Sequence, residues 1–334
     1  MIEAVNIFKH YGAHAALDGV SFRIAPGEVV GFLGLNGAGK TTMLKVLCGL
    51  LLPSAGQVRV FDVDGVADPL ALRKNIGFLP DRAPLYGEMS VREMLTYAGR
   101  LNGVDGARIK GRVNEVLGLA SLESVADDLV ETLSHGYRQR VGIAQAIVHE
   151  PRLVVLDEPI SGLDPAQIVA MRSLIRGLTE KHTVLLSSHI LGEISQTCDR
   201  ILVLHAGRIV AQGTEAELTV GGHKRAEIVA RGSLSELEKH ELLRIDGVAD
   251  VEAIAVPDGL IRLRARFGSN EVRERLVWAL VQAGFGIRTV MDLESDLEAV
   301  FMKLTRTSQH GGEGLSAAAA GAEEPAMTQK GGDA

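Results

Sequence analysis

The sequence predicts an α/β protein: a mainly parallel sheet with a helical insertion, followed by a small C-terminal α+β domain. Three observations carry this. Short continuous apolar runs, EVVGFLG (28–34), RLVVLD (152–157) and TVLLSS (183–188), read as strands buried on both faces. Residues 82–150 carry helical periodicity and little strand signal, so they form an insertion between sheet strands. Beyond residue 225, strand-like and helix-like segments follow one another in a mixed order.

In chain order, RILVLHAGRIVAQG (200–213) reads as a hairpin that turns at Ala206-Gly207. GGH (221–223) marks a boundary that closes a first domain over residues 1–220. In the second domain, residues 225–305, RAEIVAR, VEAIAV and LIRLRARF are strands, EVRERLVWALVQAG (271–284) an amphipathic helix and FGIRTVMD (285–292) a further strand. DLEAVFMKL (296–304) is a closing helix, and the order suggests a ferredoxin-like sandwich. Residues 308–334 are Gly, Ala, Glu and polar residues, the composition of a disordered tail.

The 334 residues are enough for two domains with real cores, and 46% hydrophobic with 23% charged residues is a globular composition. With 35 basic and 42 acidic residues the formal charge is −7, which gives no support to a general nucleic-acid-binding surface, and no nucleic-acid partner is expected. Only Cys48 and Cys198 occur, without metal-ligand spacing, as expected of two thiols in a reducing cytosol. MIEAVNIFKHYG lacks the pattern of a signal peptide, and no run approaches the ~20 apolar residues that cross a bilayer. A membrane role requires a separate membrane subunit.

The strongest motif is GLNGAGKTT, Gly34 to Thr42, directly after the strand-like EVVGFL. It fits G-x-x-x-x-G-K-[ST] between a strand and a helix, where a phosphate loop sits. Backbone N–H groups of Gly34, Asn36, Gly37, Ala38 and Gly39 curl around phosphates, Lys40 reaches the β and γ phosphates, and the hydroxyls of Thr41 and Thr42 follow. Thr41 is the expected Mg²⁺ ligand. LVVLDEP (153–159) is the companion: Asp157 emerges at a strand's carboxyl end to hold the Mg²⁺ shell, and Glu158 polarises a water for in-line attack. Tyr11 lies upstream and either stacks on a base or is an ordinary core or surface tyrosine.

Taken together, Tyr11, Gly34–Thr42, the loop around Asp81, Leu133-Ser134-His135-Gly136-Tyr137, Leu153–Glu158, Ser161–Asp164 and His189 resemble the ordered motifs of the ATP-binding subunits of ATP-binding-cassette (ABC) transporters, across residues 1 to about 215. The resemblance implies the P-loop ABC-cassette fold, ATP and Mg²⁺ as ligands, ATP hydrolysis, and His189 as a γ-phosphate contact. It makes LSHGY the family signature, usually LSGGQ. Ser134 and the Gly136 N–H then touch the nucleotide of a second subunit, aided by a helix's positive end. Two copies therefore form an ATP-dependent homodimer, with the loop Ser161–Asp164 linking the two sites and Asp164 among the nucleotide-facing residues. Asp81 stands where the family has Gln, within reach of Mg²⁺ or its water. His135 and Tyr137 replace the usual Gly and Gln.

The loop at Asp81, the signature and DLEAVFMKLT further resemble type-2 ABC exporters of the gliding-motility and multidrug- or polysaccharide-export kind. That resemblance implies a cytoplasmic motor, peripheral on the cell membrane, docked on a permease near Asp81 and residues 82–130. The competing expectation is a soluble ATPase of the same family acting on DNA or ribosomes. Such proteins carry two cassettes or a coiled-coil insertion, and this chain has one cassette and no sustained heptads.

Overall fold

A computed structural model describes residues 1–218, 224–239, 246–257, 259–267 and 269–292. Along the chain, β1 (Ile2–Tyr11), β2 (His14–Ile24) and β3 (Val29–Leu33) lead to helix α1 (Lys40–Leu47), β4 (Ala55–Val60), β5 (Val63–Asp64), α2 (Pro69–Lys74) and β6 (Ile76–Leu79). Three helices follow: α3 (Val91–Leu101), α4 (Gly106–Leu119) and α5 (His135–Ile147). Then come β7 (Leu153–Asp157), α6 (Pro165–Gly177), β8 (Thr183–Ser188), α7 (Leu191–Thr197), β9 (Arg200–His205), β10 (Arg208–Gly213) and the short α8 (Glu215–Leu218).

The central sheet has the order β10-β9-β3-β8-β7-β6, parallel except at the β9–β10 hairpin. That hairpin turns at Ala206 and Gly207, φ 46° and 77°, the paired left-handed conformations of a two-residue turn that matches strand twist. β3, β7 and β8 are buried along their whole length, which explains their unbroken apolar sequences. Side chains alternate between two cores. Val154, Leu156, Val184 and Leu186 face α3–α7, while Leu153, Val155 and Leu185 face α1 and a second sheet.

That second sheet, β2-β1-β4-β5, is antiparallel and has no counterpart in the sequence reading. The reason is local. Asn6 adopts φ 50°, and the β1–β2 register shifts between Ala4 and Ile7, so the buried residues run Ile2, Ala4, Ile7 and lose strict alternation.

Four of the helices start on side-chain caps that the sequence supplies: a Ser90–Glu93 capping box for α3, Asp105 for α4, Ser134 for α5 and Asp164 for α6. α5 lies directly on β6, and a Cβ on Gly77 would meet the carbonyl oxygen of Ala146 at 1.9 Å. Neither backbone can yield cheaply. Gly77→Ala is expected to cost at least the roughly 1–3 kcal/mol of an overpacked core, read as a lower midpoint of thermal unfolding. An unchanged midpoint would contradict this packing.

The remaining elements are β11 (Lys224–Arg231), α9 (Leu234–Lys239), β12 (Val248–Val256), β13 (Leu260–Phe267), α10 (Asn270–Gln282) and β14 (Gly286–Asp292). Their sheet, β12-β13-β11-β14, is antiparallel throughout, the split β-α-β arrangement of a ferredoxin-like unit. Ile228, Leu263, Phe267, Leu276 and Leu280 form its separate core. Helix α9 is an addition to the sequence reading. The expected boundary at 221–223, the closing helix at 296–304 and the tail at 308–334 lie outside the described residues. Both cysteines are free and buried, and burial pushes their thiols well above the ordinary range, so they pack as small apolar groups.

Candidate nucleotide site

Strand register assembles the site. Leu33 at the end of β3 pairs with Ser188, Asp157 with Ser187, and Leu79 with Leu156. Four adjacent strands thus end at one level, and the segments leaving them meet at the carboxyl edge of the sheet, where open α/β sheets bind ligands.

After β3 the phosphate loop curls into α1. Gly37 and Gly39 have φ 84° and 105°. A Cβ on Gly39 would lie 2.5 Å from the carbonyl oxygen of Ala16, so this position is open to glycine alone. No side chain caps α1, which leaves its first N–H groups and the positive end of its dipole to a ligand. Lys40 is only 6% exposed, and its Nζ donates to the carbonyls of Gly34 (2.7 Å) and Leu35 (3.3 Å).

Two carboxylates leave β7 side by side. Successive strand side chains point to opposite faces, but Glu158 takes the left-handed φ of 51°, which turns the chain and brings both acids to the cleft. Such a conformation costs on the order of 1–3 kcal/mol in a non-glycine residue. Its surroundings hold it: Glu158 N donates to Ser187 Oγ at 3.0 Å, Oε1 lies 3.2 Å from Lys40 Nζ, and Oε2 is 2.9 Å from His189 Nδ1. The carboxylate only accepts, so the His189 proton sits on Nδ1. Asp157 is 1% exposed; Ser187 Oγ donates to its Oδ1 at 2.6 Å, and its buried Oδ2 has no hydrogen-bond partner.

These groups border a cleft of about 620 Å³. Of the residues expected at the site, Asn36, Gly37, Gly39, Lys40, Thr41, Thr42, Asp81, Asp157, Glu158 and His189 line it. Gly34 lies at the base through its carbonyl, and Ala38 is buried within the loop. The cleft also draws on Ala16, Lys45, Arg82 and Ser161, and on Ser187 behind Asp157. Lys45 follows Thr41 by four residues on α1, a spacing legible in the sequence; the Ser187–Asp157 pairing depends on strand order and was not.

Tyr11, Ser134, Gly136 and Asp164 do not line the cleft of their own chain. Tyr11 is 52% exposed at the end of β1, with Lys9 Nζ 5.4 Å from its ring centroid. Ser134 accepts from Tyr137 N as the cap of α5, and Asp164 Oδ1 accepts from Gln167 N as the cap of α6. Two arginines near the start of α5 are engaged within their own chain: Arg138 Nη1 donates to Leu133 O at 2.5 Å, and Arg140 lies over the Tyr137 ring.

Comparison with known proteins places this geometry. A family model described as ABC transporter matches residues 17–161. The bacitracin transport ATP-binding protein BcrA of Bacillus licheniformis is 32% identical over 307 residues, 91% of this chain and 97% of that protein. The daunorubicin resistance ATP-binding protein DrrA3 of Streptomyces coeruleorubidus is 37% identical over 89% of this chain and 93% of its own length. Among solved structures, the dimeric form of MJ0796, a bacterial ABC transporter cassette, superposes with a TM-score of 0.59 at 27% identity, covering 64% of this chain and 98% of that one. Likeness that runs past the phosphate loop and on into the C-terminal unit is more than a shared motif, and the chain belongs to the ABC transporter family as an ATP-binding, ATP-hydrolysing subunit.

Proposed function

We propose that two copies of this chain clasp two ATP molecules between them and drive a separate membrane permease, in the direction of export. The observation that carries this reading is a mismatch within one chain. It has one phosphate loop and one signature turn, and the turn contributes nothing to the wall of its own cleft. A two-fold pair supplies each cleft with the other copy's Ser134 and Gly136 N–H, at the positive end of α5. The dimeric cassette among the structural neighbours supports this pairing.

In this scheme the phosphate-loop N–H groups and Lys40 hold the β and γ phosphates, and Thr42 adds a hydroxyl. Glu158 accepts a proton from a water as its oxygen attacks γ-phosphorus, and the bond to the β–γ bridging oxygen breaks to leave ADP. His189, oriented by the contact of its Nδ1 with Glu158, meets the γ-phosphate with the opposite edge of its ring. Tyr11 stacks on the base. Thr41, Asp157 and Asp81 supply hard oxygen donors, and the orphaned Asp157 Oδ2 fits the hydration shell of Mg²⁺. When bound, Mg²⁺ would offset phosphate charge.

Support for a permease partner comes from the surface beyond Asp81. Tyr86 and Tyr97 pack edge to face, 5.7 Å between centroids, and both are exposed, as are Leu101, Leu50 and Leu52. Beside them is a notch of about 190 Å³ containing Phe78, Gln145 and His149, where Gln145 Oε1 and His149 Nδ1 lack hydrogen-bond partners. No helix among the described residues is long and apolar enough to cross a membrane. The names of the transporter ATP-binding subunits that this chain resembles support a place on the cytoplasmic face, beside the permease. Residues 1–220 act as the cassette and 225–305 as a regulatory or dimerisation domain. The names of BcrA and DrrA3 favour export of a small molecule. The reading as a soluble ATPase acting on nucleic acid gains nothing from these relatives.

Ser134→Arg tests the shared site. A bulky cation at the cap should abolish dimer formation with MgATP and most turnover, while one chain's nucleotide affinity stays within a few-fold. Undiminished ATPase would contradict the scheme.

A further inference from the structure

The turn that opens α5 is tied to the loop that follows Glu158. His135 Nε2 lies 3.1 Å from the carbonyl oxygen of Ser161. A carbonyl only accepts, so Nε2 carries the proton and donates. Next to it Gly162 has φ +74°, and a Cβ there would stand 3.5 Å from Nε2. One residue on, Gly136 packs so closely on Gln167 that a Cβ would meet its Cδ at 2.7 Å, and Gln167 N in turn donates to Asp164 Oδ1 at 2.9 Å. The two residues after Ser134 therefore touch the middle of the loop and the first turn of the helix that follows it. At the near end, Ser161 N donates to Glu158 O at 3.2 Å, and Glu158 contacts Lys40 and His189. A continuous path runs from the signature turn to the same chain's carboxylate.

We propose that His135 is a positioning residue: it locks the loop Glu158–Asp164 to the signature turn, so that closure on the partner's nucleotide sets the carboxylate of the subunit's own Glu158. The inference rests on the shared-site reading above. In that arrangement a subunit's signature turn belongs to one composite site and its Glu158 to the other. The tether therefore couples the two sites through the body of a single subunit. Glycine, usual at this place in the family, has no donor for Ser161 O. His135 is exposed at a helix start, so its removal opens no cavity.

Mixtures of full-length chains separate the two sides of the tether. In the first, the His135→Ala chain meets an excess of Glu158→Gln chain, so the only working Glu158 sits in the chain without the tether. In the second, wild-type chain meets an excess of the His135→Ala/Glu158→Gln double variant, so only the facing signature turn is altered. Phosphate release in the first turnover is compared with wild-type chain in excess Glu158→Gln. The first mixture should fall roughly three- to thirtyfold, the range of a coupling carried by a packed network. ATP-analogue affinity should be unchanged, and His135→Gln, which keeps an N–H donor, should restore most of the rate. An unchanged rate in the first mixture overturns the proposal whatever the second gives, and so does a loss that Gln leaves unrestored. A loss in the second mixture alone assigns His135 to the partner's nucleotide instead. Wild-type chain with excess Ser134→Arg/Glu158→Gln is the separate check: no loss there overturns the shared site itself, and the tether's role with it.

Discussion

Glu158→Gln is expected to lower ATP turnover by about 10²–10⁴-fold, the contribution of a positioned general base, with nucleotide affinity nearly unchanged. Gln keeps the shape of the side chain and an oxygen that accepts from His189, so the left-handed turn at 158 and its Ser187 contact survive. What disappears is a carboxylate that takes a proton. Removing one charge 3.2 Å from Lys40 also leaves more of that lysine's charge to the phosphates, while its bonds to the Gly34 and Leu35 carbonyls remain. Steady-state phosphate release alongside ATP-analogue titration separates the two effects. Turnover within tenfold of wild type would remove Glu158 from the role of base.

Lys40→Ala should act on the other term. Lys40 is buried, held by two loop carbonyls, and charged beside Glu158. Truncating one member of a buried charged pair costs about 2–5 kcal/mol, so ATP should bind some thirtyfold to several thousandfold more weakly. Glu158 would be left in the cleft without its cation, adding repulsion toward the incoming triphosphate. Fluorescent-nucleotide titration reads this directly; affinity within threefold of wild type would place the phosphates elsewhere in the cleft.

The site was legible wherever chemistry is local. Gly34–Thr42 declares itself because a strand, a glycine-rich turn and a helix follow one another within twenty residues or so, as the fold of a phosphate loop requires. Asp157 and Glu158 could be read because an apolar strand ends on them. Ser187 could not: its hydroxyl reaches Asp157 only because β8 pairs with β7 in one register, a fact of strand order. Nor could the conformation of Glu158, since nothing in its neighbours' chemistry demands a positive φ. The fold divides in the same way. Fully buried parallel strands betray themselves by unbroken apolar runs, while β1, with its shifted register at Asn6, blurs the period-two pattern that would have revealed an antiparallel sheet. Gly77, an unremarkable letter in IGFLP, is explained only by the carbonyl of Ala146 pressed against it.

If nucleotide binds two chains together, the mass of the particle must double when ATP is bound. Small-angle scattering of Glu158→Gln, at a concentration where the nucleotide-free chain is monomeric, measures it. With MgATP the expected result is the mass of two chains and a compact two-fold particle, reverting to one chain on exchange into ADP. A particle of one chain with ATP bound would contradict it.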